Sequence, residues 1–308
     1  MSDIQPGGYW SHTLGGDLNE CHRRVYYRVY GCWGGWTSRN GPTPHLLYRA
    51  KSSDSLATYV GCLVHEAIQK IIQRIRAQMK LAPDQLLLDR IKERMKSEID
   101  YSAQRMWKKI DHPKRATLIL RCHLLGEDLH QPEIDKAIEK AQKSLQAFLT
   151  VYLPYIRTWQ PSEIELIDSL DGIEYKGYTL FMSPDLVLRR LEELILIDWK
   201  TGRFPNGEQL KAYAWYLIKR QERDHATILD PKCITGRSIP LINLEEELVL
   251  PMNQEFIDDA IERTESDITV LETLHQAGLD HEEASFDKTP HRGNCTYCAF
   301  QFHCDLRP

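Results

Sequence analysis

Several features are missing from this sequence, and each absence excludes a class of protein. The 308 residues contain no apolar run of the roughly 18 residues that a membrane-spanning helix requires, so no membrane contact is expected. The phosphate-binding pattern G-x-x-x-x-G-K-[ST] and the pattern G-x-G-x-x-G are both absent, which argues against nucleotide-driven motor activity. Residues 1–8 have neither a basic segment nor an apolar core, so we predict no secretory signal and expect a cytoplasmic location.

An excess of positive charge is also missing, since the formal net charge is −5. Any contact with nucleic acid therefore needs locally clustered cations or bound metal ions. Cysteine, in contrast, is well represented, with eight residues in a chain that shows no secretory signal. In that setting cysteines indicate metal binding or redox chemistry more than disulfide bonds.

The most informative stretch is Ser183–Gly202, where two apolar runs flank a charged turn and predict a β-hairpin. If Arg190 pairs with Glu193 across the turn, the register places Asp185 directly opposite Asp198. The Cβ atoms of such a pair lie about 4.5–5.5 Å apart. Two carboxylates at that distance repel each other unless one is protonated or a cation lies between them.

A divalent cation that prefers oxygen ligands, such as Mg²⁺, suits this pair of carboxylates and commonly binds phosphate oxygens as well. Side chains alternate along a strand, so Lys200 shares a face with Asp198, while Trp199 points to the opposite face. Lys200 could then contact a bound phosphate or an attacking water. On this pattern alone, an ordinary hairpin with solvated charges is the alternative.

Two predicted helices carry further candidates. Residues 55–80 show an apolar stripe at the helical period, with His65 at its edge. A lone histidine there is either a core residue with a satisfied hydrogen bond or, if the helix packs on the hairpin, a metal ligand. In a second helix that begins at Glu208, Gln209 and Tyr213 are four residues apart and therefore share one face.

Periodicity predicts the remaining elements. Residues 83–153 indicate further helices. Two strands are predicted around Ala226–Leu229 and Leu241–Leu250, with Cys233 in a turn between them, and a long helix is predicted over Asn253–Gln276.

Residues 19–30 mix arginine and tyrosine side chains more densely than any other part of the chain. Such mixtures can hold a nucleic acid single strand by stacking and phosphate contact. The alternative, which we favour for most of the tyrosines, is that they pack into the body of the protein. The residues concerned are Arg23, Arg24, Arg28, Tyr26, Tyr27 and Tyr30.

The C-terminal segment contains three thiols within ten residues, in the spacing C-x₂-C-x₅-C: Cys295, Cys298 and Cys304. Three thiolates need a fourth ligand to complete a tetrahedral zinc site or an iron–sulfur cluster. Both kinds of site are compatible with the spacing. The candidates for the fourth ligand are Cys21, Cys32, His291 and His303.

Taken together, these motifs resemble the RecB-like branch of the PD-(D/E)XK nucleases. Pro184-Asp185 and Asp198-x-Lys200 are similar to the defining motif of that branch. Its upstream helical histidine is matched by His65, and its Q-x-x-x-Y helix by Gln209 and Tyr213. The iron–sulfur subgroup includes CRISPR-associated RecB-like exonucleases and the AddB nuclease domain. Its split cysteine set is matched by Cys21, Cys295, Cys298 and Cys304.

The resemblance implies an α/β fold with a restriction-endonuclease-like core, in which a mixed central sheet is flanked by helices. It also implies a helical insertion and an iron–sulfur cap formed by both ends of the chain. The expected organisation assigns residues 1–50 to the cap, 51–80 to the histidine helix, 81–155 to the insertion, 156–280 to the nuclease core and 281–308 to the cysteine segment.

The implied activity is metal-dependent hydrolysis of DNA, with single-stranded DNA favoured and a protein partner from a repair or CRISPR-type defence complex expected. His65, Asp185, Asp198 and the carbonyl of Trp199 are expected to bind Mg²⁺ or Mn²⁺. Lys200 would act in catalysis with the two carboxylates, and Gln209 and Tyr213 would hold the substrate. The four matched cysteines would bind a [4Fe–4S] cluster. The alternatives are a non-catalytic DNA-binding subunit and a zinc-stabilised interaction protein.

Overall fold

The computed structural model describes residues 6–202, 204–291 and 293–304, so the two ends of the predicted cap, 1–5 and 305–308, lie outside the described residues. The chain forms two compact units. Unit 1 comprises Met1–Leu56, Lys96–His130 and Thr264–Pro308, and unit 2 comprises Ala57–Met95 and Gln131–Arg263. The predicted carboxylate site thus belongs to unit 2, and the four cysteines of the predicted cluster belong to unit 1.

The helices in chain order are α1 (His12–Glu20), α2 (His22–Tyr26), α3 (Pro42–Lys51), α4 (Leu56–Arg76), α5 (Asp84–Ala103), α6 (Arg121–Leu125), α7 (Gln131–Ala147), α8 (Leu153–Ile156), α9 (Gly207–His225), α10 (Gln254–Leu279) and α11 (Gly293–Thr296). Two π-helical turns, Tyr27–Gly31 and Phe148–Tyr152, continue α2 and join α7 to α8. In the part of the chain that the structure describes, no helix is both long and apolar enough to cross a membrane.

The strands are β1 (Tyr9–Ser11), β2 (Ile164–Ile167), β3 (Asp171–Tyr175), β4 (Tyr178–Met182), β5 (Leu186–Arg190), β6 (Glu193–Lys200), β7 (Ile234–Pro240) and β8 (Leu248–Pro251). Unit 2 contains a five-stranded sheet in the order β2-β5-β6-β7-β8. β6 and β7 are parallel, while the other neighbours are antiparallel. The chain passes from β6 to β7 through α9, because parallel strands cannot be joined by a tight turn. The predicted mixed α/β architecture is confirmed.

The predicted register of the β5–β6 hairpin is confirmed. Arg190 pairs with Glu193, and Leu186, the first residue of β5, pairs with Ile197. Continued by one residue, the same register sets the residue before β5, Asp185, opposite Asp198. A one-residue slip would have turned the β6 carboxylate to the opposite face of the sheet.

The opposite face of β6 is apolar. Trp199 is 1% exposed, and its ring packs edge-on against Phe148 at 5.4 Å and Tyr152 at 5.3 Å between ring centroids. Both of these rings belong to the π-helical turn between α7 and α8. The indole of Trp199 therefore packs β6 against the π-helical turn between α7 and α8. The carboxylate of the preceding residue, Asp198, projects from the other face of the sheet.

One predicted strand, Ala226–Leu229, is wrong. Its first residue ends α9 in a left-handed conformation with φ of 52°, and no strand follows until β7 begins. The turn predicted around Cys233 is a 3₁₀ turn that leads directly into β7. Gly236 resembles a turn residue in the sequence, but it lies within β7. A Cβ there would come 2.7 Å from Met252 Cε, so the glycine marks close packing within the sheet.

The second predicted strand in this region, Leu241–Leu250, is confirmed only at its end. β8 starts at Leu248, because Leu244–Glu246 forms a 3₁₀ turn. The long helix predicted over Asn253–Gln276 is confirmed as α10.

The aromatic segment of unit 1 is buried. Tyr26, Tyr27 and Tyr30 are 7%, 2% and 2% exposed, respectively. Their rings contact the buried rings of Phe286 and Phe300 in the C-terminal part of the same unit. The interpretation of these tyrosines as packing residues is therefore confirmed, and they present no free ring for a nucleic acid base.

Replacement of Trp199 by alanine is expected to lower the free energy of unfolding by about 3–5 kcal/mol, because it leaves a cavity between β6 and the helical layer. Denaturant titration followed by circular dichroism measures the loss. Leu191→Ala is the matched control, since Leu191 is 91% exposed at the hairpin turn, and its effect should stay within about 0.5 kcal/mol. A Trp199→Ala protein as stable as the control would contradict the role assigned to the indole.

Candidate active site

The two carboxylates lie where β5 begins and β6 ends. Asp185 immediately precedes β5, and Asp198 is near the C-terminal end of β6. The Oδ2 atom of Asp185 accepts a hydrogen bond of 2.7 Å from the backbone N–H of Trp199. This bond fixes the Asp185 carboxylate against β6, next to the side chain of Asp198.

Helix α4 contributes His65, whose Nδ1 lies 3.1 Å from Asp185 Oδ1. Gly61, one turn earlier, faces Thr201 just beyond β6, and a Cβ there would lie 3.3 Å from Thr201 Oγ1. The glycine therefore allows α4 to approach the end of β6 closely.

The charges around His65 favour its protonated form. Burial opposes protonation of the imidazole, but the charge and hydrogen bond of Asp185, together with the charge of Asp198, outweigh burial and raise the pKa of His65. Protonation of the imidazole would partly neutralise the two carboxylates.

Asp198 carries its charge in a buried position, with only 2% of the residue exposed. Burial raises its pKa to about 6, and the negative charge of Asp185 contributes in the same direction while Lys200 opposes it. Its Oδ2 atom lies 2.8 Å from Lys200 Nζ and accepts a hydrogen bond of 3.2 Å from Ser238 Oγ. The ammonium and the hydroxyl are what make an ionised carboxylate tolerable here, because a buried charge without partners is costly.

A chain of hydrogen bonds extends from this pair onto α9. Lys200 Nζ donates to Gln209 Oε1 over 2.7 Å, and Gln209 Nε2 donates to Tyr213 Oη over 2.7 Å. The side chain of Asn206 caps α9 by accepting a hydrogen bond of 3.1 Å from the Gln209 N–H, which orders the first turn. Burial and the charges of the nearby carboxylates raise the pKa of Tyr213, so its hydroxyl keeps its proton.

The two carboxylates offer the oxygen ligands that a hard divalent cation prefers, and the imidazole offers a nitrogen ligand of the kind that transition-metal ions accept. At present these donors bind one another, His65 to Asp185 and Lys200 to Asp198. Over residues 6–202, 204–291 and 293–304, no three His, Cys, Asp or Glu side chains form a group that could hold a metal ion. A metal at this site therefore requires the two ion pairs to rearrange.

Two neighbours of the carboxylates were not identified from the sequence. Asp168 follows β2, its N–H donates to the carbonyl of Asp185 over 3.0 Å, and its charge contributes to the raised pKa of Tyr213. Ser238 is fully buried and lies in register with Asp198 across the parallel β6–β7 pair. Both positions follow from the order of strands in the sheet. The one sequence signal for either is the aspartate at the end of an alternating apolar strand.

In unit 1, the four cysteines of the predicted cluster, together with Arg23 and Arg24, line one cavity of about 20 Å³. None of the eight cysteines forms a disulfide bond. Burial raises the pKa of Cys298, and the guanidinium of Arg24 opposes that shift. Four thiols around one cavity is the donor number of an iron–sulfur cluster, and the arginines would balance thiolate charge.

The other candidates for the fourth ligand have different surroundings. Cys32 is 1% exposed, and its thiol donates to the carbonyl of Arg28 over 3.0 Å. The ring of His303 packs against Tyr27 at 5.4 Å between centroids, and His291 is exposed. Of the four candidates, Cys21 is the one that lines the cavity together with the C-terminal thiols.

Comparison with known proteins agrees with the motif analysis. The family model described as the PD-(D/E)XK nuclease superfamily matches residues 11–305. No curated protein matches the chain. The matched range includes the carboxylate site in unit 2 and the four cavity-lining cysteines in unit 1.

Asp198→Asn is expected to stabilise the metal-free protein at neutral pH. The pKa of Asp198 is about 6 in the folded chain, against about 3.9 in an unfolded one. Folding therefore opposes ionisation, and the resulting loss of stability begins as the pH rises above the unfolded pKa and is complete once the pH has passed the folded pKa. We expect the variant to gain on the order of 1–3 kcal/mol above about pH 7, and to lose that gain below about pH 4.

Denaturant titrations in EDTA across this pH range measure the difference from the wild-type protein. Glu193→Gln is the control, because Glu193 lies on the same strand but is exposed, and it should show no such gain. Destabilisation of Asp198→Asn at every pH would show that the ion pair with Lys200 outweighs the buried charge.

Proposed function

The chain belongs to the PD-(D/E)XK nuclease superfamily, whose members are nucleases that typically use divalent metal ions, and we propose that it is a metal-dependent deoxyribonuclease. The observation that carries the proposal is the joining of two opposed carboxylates, Asp185 and Asp198, to Lys200 and His65 at one end of the sheet. We propose that its substrate is single-stranded DNA. The protein would act on it mainly as an exonuclease and, as a second activity, as an endonuclease.

Asp185, Asp198 and His65 would hold one or two Mg²⁺ or Mn²⁺ ions, with the carbonyl oxygen of Trp199 as a further ligand. A bound divalent metal supplies a water of lowered pKa and neutralises charge on the phosphate. The buried position of Asp198 favours replacement of the Lys200 ammonium by a metal ion as the cation next to this carboxylate. Its pKa of about 6 shows that the ammonium of Lys200 compensates the carboxylate only in part.

Lys200 would leave Asp198 when the metal site fills. It keeps a second anchor, since its Nζ donates to Gln209 Oε1 over 2.7 Å. Held there, the ammonium can reach the scissile phosphate or the attacking water. Its charge would stabilise the negative charge that develops on the phosphate oxygens in the transition state.

Gln209 and Tyr213 would position the DNA backbone. Tyr213 keeps its proton because its pKa is raised, so its hydroxyl can donate to a phosphate oxygen. Gln209 already joins Tyr213 to Lys200 through two hydrogen bonds of 2.7 Å. Contact of DNA with Tyr213 would therefore be transmitted directly to the orientation of the lysine.

In unit 1, Cys21, Cys295, Cys298 and Cys304 would bind a [4Fe–4S] cluster that stabilises the fold. The support is their shared cavity, where residues far apart in the chain meet. A zinc site is the alternative, and it would leave the protein colourless. The resemblance to RecB-like nucleases supports a role in DNA repair or in CRISPR-type defence, with a partner protein that loads the DNA.

Cleavage of end-labelled single-stranded DNA by anaerobically purified protein with Mn²⁺ tests the proposed activity. We expect cutting that EDTA abolishes, and that Asp198→Ala reduces by a factor of at least about 10³, because both the metal and its charge compensation depend on this carboxylate. The product ladder reports the polarity.

Glu193→Gln, an exposed change on the same strand, is the matched control and should cut at the wild-type rate. A folded wild-type protein that binds DNA but does not cut it under any metal condition would favour the alternative of a DNA-binding subunit. Cutting that survives in Asp198→Ala would show that another site, or a contaminant, is responsible.

Cys21→Ala and Cys32→Ala form a matched pair for the cluster. Both remove one thiol near the N-terminal helices, but Cys21 lines the shared cavity and Cys32 does not. We expect Cys21→Ala to lose visible absorbance and bound iron, and Cys32→Ala to keep both. Iron content and absorption spectra of anaerobic preparations measure the outcome. Zinc without iron in the wild-type protein would overturn the cluster assignment.

A further inference from the structure

Two tryptophans that follow the buried tyrosine segment are exposed. Trp33 is 37% exposed and Trp36 is 36% exposed, and their rings meet edge to face at 5.4 Å between centroids. Trp36 in turn contacts the half-buried ring of Tyr48 at 6.3 Å. We call Trp33, Trp36 and Tyr48 the tryptophan patch. Aromatic rings are enriched at binding interfaces, and adjoining exposed apolar side chains are a feature of interaction sites.

The loop that carries the patch is held rigidly. Gly34 adopts a positive φ of 76°, and its carbonyl accepts a hydrogen bond of 2.8 Å from the Asn40 side chain. At Gly35, a Cβ would lie 2.0 Å from the backbone oxygen of Pro44, so this position tolerates no side chain. The carbonyl of Gly35 is also 2.9 Å from Nδ1 of the buried His45. The glycines therefore hold the two tryptophans in a fixed arrangement.

A second segment of unit 1 supports the same loop. Asp111 accepts a hydrogen bond from the Thr37 hydroxyl and one from the Ser38 N–H, each of 2.9 Å. Hydrogen bonding from Ser38, through its side chain and its N–H, and from Thr37 lowers the pKa of Asp111 to about 2. The ring of His112 contacts Tyr48 at 6.1 Å. Asp111 is thus engaged in hydrogen bonds that hold the loop carrying Trp33 and Trp36.

The charge around the patch is positive, although the chain as a whole is negative. Residues 31–51 contain three cations, Arg39, Arg49 and Lys51, and no acidic residue. Residues 105–115 contain Arg105, Lys108, Lys109, Lys114 and Arg115, with Asp111 as the one acidic residue. The two segments meet where the guanidinium of Arg49 lies over the ring of Trp107, at 5.5 Å. Lys51 Nζ lies 5.9 Å from the ring centre of Tyr48.

Exposed aromatic rings within a cluster of cations are the features of a surface that holds a single strand by base stacking and phosphate contact. We propose that the tryptophan patch is a stacking platform for single-stranded DNA, with bases on Trp33 and Trp36 and phosphates on the surrounding cations. The proposal rests on the proposed nuclease function, for which it names a part of unit 1 that would hold the strand. Duplex DNA is a poor fit, because its bases are stacked on one another.

Fluorescence anisotropy with a labelled oligothymidylate in EDTA tests the platform without cleavage. Stacking on an aromatic ring strengthens binding of a base by about tenfold or more, so Trp33→Ala and Trp36→Ala should each weaken affinity by about that factor. An abasic oligonucleotide of the same length has the phosphates but no bases. It should bind the wild-type protein and both variants with equal affinity.

Phe181→Ala is the control for loss of an exposed ring, since Phe181 in unit 2 is 38% exposed. It should bind oligothymidylate as the wild-type protein does. Trp36→Phe keeps a ring that can stack, and should lose less affinity than Trp36→Ala. Arg39→Ala is an exposed change in the same loop. It should reduce the slope of log K against log salt concentration by about 0.7. This measurement tests the patch even if a tryptophan-to-alanine variant fails to fold.

Unchanged affinity for oligothymidylate in both tryptophan variants would overturn the proposal, as would an equal loss for the abasic strand. Vesicles of anionic phospholipid test a membrane surface as the alternative partner. If the tryptophan variants lose the wild-type protein's binding to these vesicles but keep its DNA binding, the proposal is overturned and the patch is assigned to a membrane surface. These results are independent of catalysis. If the tryptophan variants bind DNA as the wild-type protein does, the Asp198-dependent cleavage assay still tests the nuclease function. If no cleavage is found, the comparison of DNA affinities still tests the platform.

Discussion

The burial of the Asp198 carboxylate beside that of Asp185 is the constraint on which the candidate site depends. Asp198 is almost completely enclosed, next to Asp185, and burial raises its pKa to about 6. The surrounding structure offsets the charge with Lys200, His65 and the hydroxyl of Ser238. Such a site is less stable than a neutral one would be, and in the proposed function that deficit would favour the binding of a further cation.

The fold provides this arrangement by bringing three elements to one end of a sheet. The β5–β6 hairpin opposes the carboxylates, α4 approaches closely because Gly61 has no side chain, and α9 begins with a capped turn that presents Gln209 to Lys200. The apolar face of β6 is held by Trp199. Asp198 and Lys200 are therefore supported by packing on the other face of their own strand, which is how rigid elements keep functional groups in position.

Local patterns were sufficient for the parts of this site that lie within one hairpin or one helix. Strand alternation and a polar turn determine the register that brings Asp185 and Asp198 together, and helical spacing puts Gln209 and Tyr213 on one face. Ser238 and Asp168 required the strand order, which no local pattern contains. Gly236 looks like a turn residue until the packing of Met252 against it is known.

The aromatic residues of unit 1 show why composition identifies a binding surface less well than it identifies a hairpin. Tyr26, Tyr27 and Tyr30 alternate with arginines, yet they are buried against other rings of the unit, while Trp33 and Trp36 follow them and are exposed. The difference comes from the backbone. The tyrosines lie on helical turns that pack into the unit, whereas the two tryptophans flank Gly34 and Gly35 in the loop that follows. Mixed aromatic and basic sequence indicates that stacking is chemically available, and the local backbone decides which rings can provide it.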